Sequence, residues 1–186
     1  MAIIIEKAKA ADAEAILNFT KICGAETDNL SFGENGIPVS VEQEASFIGS
    51  IENSDTDIFF VARDGGEIVG TGNYSTFSKK RMAHRGEFGI SVRKAYWNQG
   101  VGTMLMEHIL DFAKNTAKAD IVSLEVRSDN EAAIHLYQKF GFEKIGTFKG
   151  YFKINGELID FDLMELFLFS LDGTIDKSLF CGVISK

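Results

Sequence analysis

The stretch from Gly86 to Phe142 constrains the fold of this chain more than any other. It alternates an apolar run, a glycine-bearing turn, an amphipathic segment, a second apolar run and a second amphipathic segment. This alternation predicts a strand, a helix, a second strand and a second helix. A strand–helix–strand unit over residues 88–126 is expected to form a right-handed crossover between parallel strands. The chain is therefore predicted to form a mixed sheet with helices packed on it, in the α/β or α+β range.

The remaining segments add elements on both sides of this unit. Apolar spacing and turn residues predict a strand over residues 3–5, helices over 12–23 and 41–51, strands over 58–62 and 68–74, and a final hairpin over 143–153 and 158–168. The complete order is β-α-α-β-β-β-α-β-α-β-β, a central sheet of about seven strands flanked by about four helices. We expect a single domain over residues 1–168 and a C-terminal tail of uncertain structure over residues 169–186.

Composition and charge argue against several classes of protein. The net charge is −8 at pH 7, which disfavours nucleic-acid binding because that binding requires clustered Lys and Arg. No apolar run is long enough to span a membrane, and the first residues lack the features of a secretory signal. Cys23 and Cys181 lie far apart without metal-ligand spacing, so neither a disulfide framework nor a metal site is expected. We therefore expect a cytoplasmic protein that binds no metal.

A glycine-bearing turn, Gln99–Gly102, lies at the predicted transition from a strand to a helix. Its glycines allow a ligand to approach the backbone closely, and the first N–H groups of the helix lack intrahelical partners. No acidic residue precedes Glu107 in this helix, so the positive end of the helix dipole stays uncompensated. These features indicate an anion site suited to a phosphate. The alternative is that a Gly-x-Gly turn serves only tight packing.

Two common nucleotide-binding motifs do not fit this turn. A Walker A loop requires a Lys after the second glycine, whereas Thr103 follows Gly102 directly. A dinucleotide fingerprint requires a third small residue at the position where Leu105 stands. The turn is therefore expected to bind the phosphate of another kind of ligand.

Two motifs together resemble those of the GNAT superfamily of acetyl-CoA-dependent N-acetyltransferases, across roughly residues 3–168. The pyrophosphate loop of that family typically follows the pattern Arg/Gln-x-x-Gly-x-Gly/Ala. Residues 97–102 match it at both glycines and depart from it at the first position, where Trp97 stands. Residues 130–142 match the second pattern, Asn-x-x-Ala-x-x-Leu-Tyr-x-x-x-Gly-Phe. Two motifs in the family's order are more specific than either one alone.

The resemblance implies acetyl-CoA as the cosubstrate. The strand before the turn is expected to offer backbone groups to the pantetheine arm, and a backbone N–H of residues 90–92 is expected to hold the oxyanion. Arg93 and Lys94 are candidates for contact with the nucleotide phosphates. The candidate cofactor-binding residues are Ile90, Ser91, Val92, Asn98, Gln99, Gly100, Val101, Gly102, Thr103 and Asn130.

The candidate catalytic residues follow from the chemistry of an amine. An alkyl amine with a pKa of about 10.4 is protonated at neutral pH, so a base must remove its proton before attack. Glu125 resembles the base of ribosomal-protein alanine acetyltransferases, and Glu87, His84 and water chains are the alternatives. Tyr137 occupies the position that often donates a proton to the departing CoA thiolate in the family. Without the resemblance, Tyr137 would be a core aromatic and each carboxylate a solvated charge at a strand end.

The main functional hypothesis is acetyl transfer from acetyl-CoA to a primary amine by direct attack in a ternary complex, as the resemblance implies. The acceptor is a small amine, a polyamine or a peptide N-terminus, and its pocket is expected over residues 24–40, residues 75–86 and the final hairpin. The alternative hypothesis is a non-catalytic CoA-binding or regulatory module, for which Trp97 leaves room. A homodimer through the last strands is common in the family, and the resemblance implies it as a partner interaction.

Overall fold

The computed structural model describes residues 2–169. Within them lie seven strands, four α-helices and two short 3-10 helices. Their bounds are β1 Ile4–Lys7, α1 Ala13–Glu26, α2 Val41–Ile51, β2 Asp57–Asp64, β3 Glu67–Thr76, β4 Arg85–Val92, α3 Val101–Asn115, β5 Ile121–Arg127, α4 Glu131–Lys139, β6 Glu143–Ile154 and β7 Glu157–Phe167, with the 3-10 helices at Ala10–Asp12 and Lys94–Tyr96. Residues 170–186 of the predicted tail, including Cys181, lie outside the described residues.

The predicted order of strands and helices is confirmed. The strands lie in one sheet in the order β1-β2-β3-β4-β5-β7-β6. β4 and β5 are parallel, with Glu87 opposite Ser123, which confirms the predicted crossover pair. β7 pairs antiparallel with both β5 and β6. The prediction of a mixed α/β sheet of about seven strands with four helices is therefore correct.

The two N-terminal helices show what local sequence can and cannot predict. Helix α2 begins and ends as predicted, at residues 41 and 51. Ser40 caps it, because its Oγ accepts the Gln43 N–H at 3.2 Å while the Gln43 side chain accepts the Ser40 N–H at 2.8 Å. By contrast, α1 continues to Glu26, beyond the predicted end at Cys23. A Cβ on Gly24 would lie 1.9 Å from the Gly33 oxygen, so the loop packs directly on the last turn of α1. Apolar spacing along the helix cannot show such a contact.

One compact unit comprises the residues up to Thr76 and Phe88–Ala117. Helix α3 packs on β3 through the predicted apolar face, and β3 carries glycines where the helix comes closest. A Cβ on Gly72 would lie 2.8 Å from the Ile109 Cδ1 atom. The buried residues of α3 are Val101, Leu105, Met106, Ile109, Leu110, Phe112 and Ala113.

The second compact unit comprises Phe77–Glu87 and, among the described residues, 118–169. It contains the first residues of β4 together with β5, α4, β6 and β7. Arg85 and Glu165 form an ion pair between β4 and β7. Buried Asp162 accepts hydrogen bonds from the Ser128 Oγ at 2.6 Å and the Thr147 Oγ1 at 3.0 Å. These contacts satisfy the polar groups that this part of the sheet buries.

Candidate functional site

The backbone of the glycine turn adopts the left-handed conformation at two positions just before α3. Asn98 has φ +58° and Gly100 has φ +83°, so both lie in the left-handed region. Gly100 begins α3, because its carbonyl accepts the Met104 N–H at 3.0 Å, and as a glycine it has no side chain with which to cap the helix. The N–H groups of the first helical turn therefore lack intrahelical partners.

Side chains of the turn itself hold this conformation. The indole Nε1 of Trp97 donates to the Val92 carbonyl at 2.8 Å, and the amide Nε2 of Gln99 donates to the Ala95 carbonyl at 2.6 Å. The Tyr96 hydroxyl donates to Asp64 at 3.1 Å. Trp97 and Gln99 thus stabilise the backbone of the turn, while 40% of the Trp97 side chain stays exposed.

Replacing Gly100 by Ala is expected to weaken CoA binding about tenfold, because the first N–H groups of α3 would lose their alignment with a phosphate. A Cβ at Gly100 meets no atom within 4 Å, so the cost comes from the backbone conformation at φ +83°. That conformation costs a non-glycine residue about 1 kcal/mol. Chemical unfolding and calorimetric titration with CoA measure the two effects.

Gly65→Ala is the matched control for this substitution. Gly65 lies in the β2–β3 turn with φ +57°, and its Cβ would also meet no atom within 4 Å. Ala at Gly65 is expected to lower the free energy of unfolding similarly without changing the affinity for CoA. Equal CoA affinity of the Gly100 variant and the wild type would contradict the assignment of the turn as the phosphate site.

Two carboxylates lie on one face of the sheet in the second unit. Glu87 on β4 is opposite Ser123 on β5, and Glu125 follows Ser123 by two residues. Alternate residues of a strand share a face, so Glu87 and Glu125 are diagonal neighbours. Partial burial and, secondarily, the charge of Glu87 raise the pKa of Glu125 above the ordinary carboxyl value. A carboxylate with a raised pKa is a stronger base.

Tyr151 on β6 lies near both carboxylates, and sequence analysis missed it. Burial, the Glu125 charge and the Glu87 charge, in that order, raise the pKa of the Tyr151 hydroxyl. Its ring stacks on Phe148 at 5.2 Å and on Phe152 at 5.5 Å between ring centroids. About half of the Tyr151 side chain (48%) is exposed.

A local irregularity of β6 creates this aromatic cluster. The register between β6 and β7 shifts between Phe148 and Phe152, and Gly150 within the shift has φ +62°. The Gly150 N–H donates to Asp160 at 2.9 Å, which holds the bulge. The run of aromatic residues at 148–152 was the available signal in the sequence, but regular alternation along a strand would have separated these rings onto two faces.

Tyr137 is a half-buried residue of α4. Asn130 begins this helix by accepting the Ala133 N–H at 3.3 Å, so its side chain serves as the helix cap. The Tyr137 ring contacts the Phe142 ring at 6.1 Å between centroids. Burial raises the pKa of Tyr137 to about 12, which keeps the hydroxyl protonated at physiological pH.

The predicted site residues are distributed over both compact units. The second unit contains Glu87, Glu125, Asn130 and Tyr137, whereas the first contains the turn and the partly buried strand end Ile90–Val92. The third base candidate, His84, is exposed, and its carbonyl accepts the Asp120 N–H at 2.7 Å at the start of β5.

Residues 2–169 contain neither a cluster of potential metal ligands nor a helix able to cross a membrane. No group of three or more His, Cys, Asp or Glu side chains is placed there to hold a metal ion. No helix in this part of the chain has the length and apolar character needed to cross a membrane.

Comparison with known proteins identifies the family. Residues 25–142 match the model of the acetyltransferase (GNAT) family. The structure of a GNAT-family acetyltransferase from Streptococcus pneumoniae superimposes with a TM-score of 0.86 at 32% identity, covering 89% of this chain and 99% of that one. The chain therefore belongs to the acetyltransferase (GNAT) family, and the resemblance found in the two motifs is confirmed.

Curated relatives match over part of their length. L-amino acid N-acetyltransferase AaaT of Escherichia coli is 37% identical over 95 residues, which are 51% of this chain and 59% of that protein. N-alpha-acetyltransferase RimI of Mycobacterium tuberculosis is 36% identical over 95 residues, covering 51% and 58%. The chain thus spans somewhat more than half the length of these relatives. The structure of yncA from Salmonella typhimurium with its cofactor acetyl-CoA has the same fold, with a TM-score of 0.78 at 19% identity, covering 91% of this chain and 95% of that one.

Proposed function

We propose that this protein transfers an acetyl group from acetyl-CoA to a primary amine. The observation that carries the proposal is the uncapped N-terminus of α3 behind the left-handed Gly100, in a chain that belongs to the acetyltransferase (GNAT) family. A helix N-terminus of this form binds phosphate through backbone N–H groups and the helix dipole. The named activities of AaaT and RimI are both transfers to an amino group, which supports the same reaction class here.

The turn and the end of β4 fit the two parts of the CoA molecule. The space beside Gly100 is open, so the pyrophosphate can approach the N–H groups of the first turn of α3. Ile90, Ser91 and Val92 offer an extended backbone to the pantetheine arm, as an added strand would require. A backbone N–H of the same residues would hold the negative oxygen that develops on the acetyl group.

We assign the role of general base to Glu125. The amine enters as an ammonium ion, which the negative charges of Glu87 and Glu125 attract. Glu125 accepts one proton from the ammonium, and the freed electron pair of the nitrogen attacks the thioester carbonyl carbon. The carbon–sulfur bond then breaks, and the electron pair leaves with the CoA sulfur. The nitrogen loses its second proton, which passes to the thiolate either directly or by restoring the Tyr137 hydroxyl that protonated it. The products are the amide, the CoA thiol and protonated Glu125, which returns its proton to water. Because the pKa of Glu125 is raised, the proton transfer is less uphill than it would be to an ordinary carboxylate.

We assign to Tyr137 the stabilisation of the departing thiolate. Its hydroxyl stays protonated, since its pKa is raised to about 12, and it donates a hydrogen bond or its proton to the sulfur. A free thiol has a pKa of about 8.5, so complete proton transfer from Tyr137 is uphill and requires close alignment. This direct route through a ternary complex needs no covalent enzyme intermediate, and buried Cys23, whose pKa is raised to about 12, is a poor nucleophile.

The acceptor proposed here combines a positive charge with an apolar neighbour. Glu87 and Glu125 supply the negative field, and the exposed rings of Phe148 and Tyr151 supply an apolar surface beside it. Aromatic faces also attract cations. A short peptide N-terminus or an amino acid with an apolar side chain meets both requirements, whereas a polyamine meets only the first.

Release of free thiol from acetyl-CoA over a panel of amines tests the function. Peptides with an apolar first residue are expected to turn over faster than polyamines of equal concentration, because only they use the aromatic surface. Equal rates would contradict the proposed acceptor class. CoA binding without turnover of any amine would contradict the proposed enzymatic activity. It would favour the alternative, a non-catalytic CoA-binding module, with which Trp97 at the first position of the loop is consistent.

We further propose a cytoplasmic location and a single domain over residues 1–168. A homodimer through the last strands is supported by exposed apolar residues there, since 51% of Ile145 and 68% of Leu158 are exposed.

A further inference from the structure

Glu26, the last residue of α1, contacts the segment that leads into the cofactor turn. One of its carboxylate oxygens accepts the Lys94 N–H at 2.7 Å, and the other lies 3.8 Å from the Arg93 Nε. Arg93 in turn forms an ion pair with Glu67, and its N–H donates to the Val69 carbonyl at 3.0 Å. A residue distant in sequence thus holds the start of the segment.

The hydrogen bond between Glu26 and the Lys94 N–H lies where it can influence the conformation of the glycine turn. Lys94 is the first residue of the 3-10 helix Lys94–Tyr96, so Glu26 satisfies a backbone N–H at the start of that helix, as a capping side chain does. The same short segment continues through Trp97 to Gly100. Fixing its first N–H therefore fixes the direction in which the backbone enters α3.

The end of α1 is itself rigidly packed. The Gly33 oxygen lies 1.9 Å from the place of a Cβ on Gly24, and the Thr20 Oγ1 lies 2.7 Å from the place of a Cβ on Gly36. The loop after α1 therefore closes tightly against the helix, which leaves little freedom for the backbone of Glu26. A hydrogen bond accepted by a residue with so little backbone freedom is preorganised and requires little further ordering when the ligand binds.

The Glu26 carboxylate has two neighbouring donors, the Lys94 N–H and the Arg93 Nε, and it is hydrogen-bonded to the first. The Nε atom of Arg93 is buried and has no hydrogen-bond partner within the described structure. The nearest Glu26 carboxylate oxygen lies 3.8 Å from the Arg93 Nε, too far for a hydrogen bond, whereas the other oxygen lies 2.7 Å from the Lys94 nitrogen. A buried unsatisfied donor is costly, yet the carboxylate keeps its hydrogen bond to the Lys94 backbone and stays beyond hydrogen-bond distance of this donor.

We propose that Glu26 is a positioning residue of the acetyl-CoA site. It acts by accepting the Lys94 N–H and so aligning the turn for the pyrophosphate, without touching the cofactor. This inference rests on the proposed function, since it concerns the affinity for CoA. Its effect is expected in the dissociation constant of CoA and in KM for acetyl-CoA, with kcat at saturation nearly unchanged.

Two conservative substitutions separate the hydrogen bond from the charge. In Glu26→Gln the amide oxygen still reaches the Lys94 N–H, so the CoA dissociation constant is expected to stay close to the wild-type value. In Glu26→Asp the charge remains but the side chain is one methylene shorter, so the affinity is expected to fall about tenfold, which is the effect of losing one hydrogen bond to a charged group. Calorimetric titration with CoA and the kinetics of acetyl transfer measure both variants.

Glu67→Gln is the matched control. The exposed Glu67 forms an ion pair with Arg93, as Glu26 does, but the hydrogen bond from the Lys94 N–H is accepted by Glu26. It is expected to bind CoA as the wild type does. Thermal unfolding confirms that each variant is folded. Unchanged affinity in Glu26→Asp, or a loss in Glu26→Gln as large as that in Glu26→Asp, would overturn the inference. Failure of the wild type to bind CoA would instead contradict the proposed function.

Discussion

Glu125→Gln is expected to lower kcat for acetyl transfer by a factor of about 10² to 10⁴, the range that general bases contribute. Glutamine keeps the size and hydrogen-bonding ability of the side chain but cannot accept the ammonium proton. Glu125 is itself an exposed residue of the otherwise largely buried strand β5, so the variant is expected to fold and to bind CoA normally. Steady-state kinetics with saturating acetyl-CoA measure the loss, and calorimetry measures the retained CoA binding.

The pH dependence supplies the second part of this test. The base must be unprotonated, so kcat/KM is expected to fall as the pH falls through the raised pKa of Glu125. Glu87→Gln removes the like charge that contributes to this rise, so it should shift the acidic limb of the profile to lower pH with a smaller loss of rate. The opposite result, with the large loss in Glu87→Gln and a small one in Glu125→Gln, would make Glu87 the base.

Tyr137→Phe is expected to lower kcat by about one to two orders of magnitude, since general acid catalysis contributes roughly that much or more. The substitution removes the hydroxyl that faces the developing thiolate charge in the proposed reaction. The Phe ring retains the contact with Phe142, so the helix should remain folded. Because the pKa of Tyr137 is raised to about 12, no limb of the pH profile below that value should disappear with it.

Tyr74→Phe provides the control for Tyr137→Phe. Tyr74 is fully buried on β3, where its hydroxyl contacts the Thr76 Oγ1 at 3.4 Å. Removing this hydroxyl is expected to lower the free energy of unfolding by about 1 kcal/mol without changing kcat. A Tyr137→Phe variant that changes stability alone, as this control should, would leave Tyr137 as a structural aromatic of α4.

Local sequence was sufficient to predict the order of elements. Three features depend only on residues within a few positions of each other: the capping box of Ser40 and Gln43, the turn at Asp64–Gly66 between β2 and β3, and the apolar face of α3. Their physical causes are capping, turn conformation and helical periodicity, which a sequence displays directly. The family motifs at the glycine turn are local in the same sense.

The parts of the candidate site that sequence analysis missed depend on distant contacts. Glu26 reaches Lys94 across 68 positions of the chain. Tyr151 comes near Glu125 and Glu87 only through the register of three strand pairings, which join β4, β5, β7 and β6, and through a bulge at Gly150. The end of α1 likewise depends on its packing against Gly33. Neither periodicity nor turn chemistry encodes these contacts, because each one needs the tertiary structure to bring its partners together.

Incubation of the wild-type protein with an amine and acetyl-CoA labelled in its acetyl group tests the proposed transfer most directly. Mass spectrometry is expected to find the label on the nitrogen of the amine, in an amount equal to that of the free CoA thiol. The label should not remain on the protein, because the amine attacks the thioester directly. Release of the thiol without a labelled amine, or label retained on the protein, would contradict direct acetyl transfer to an amine.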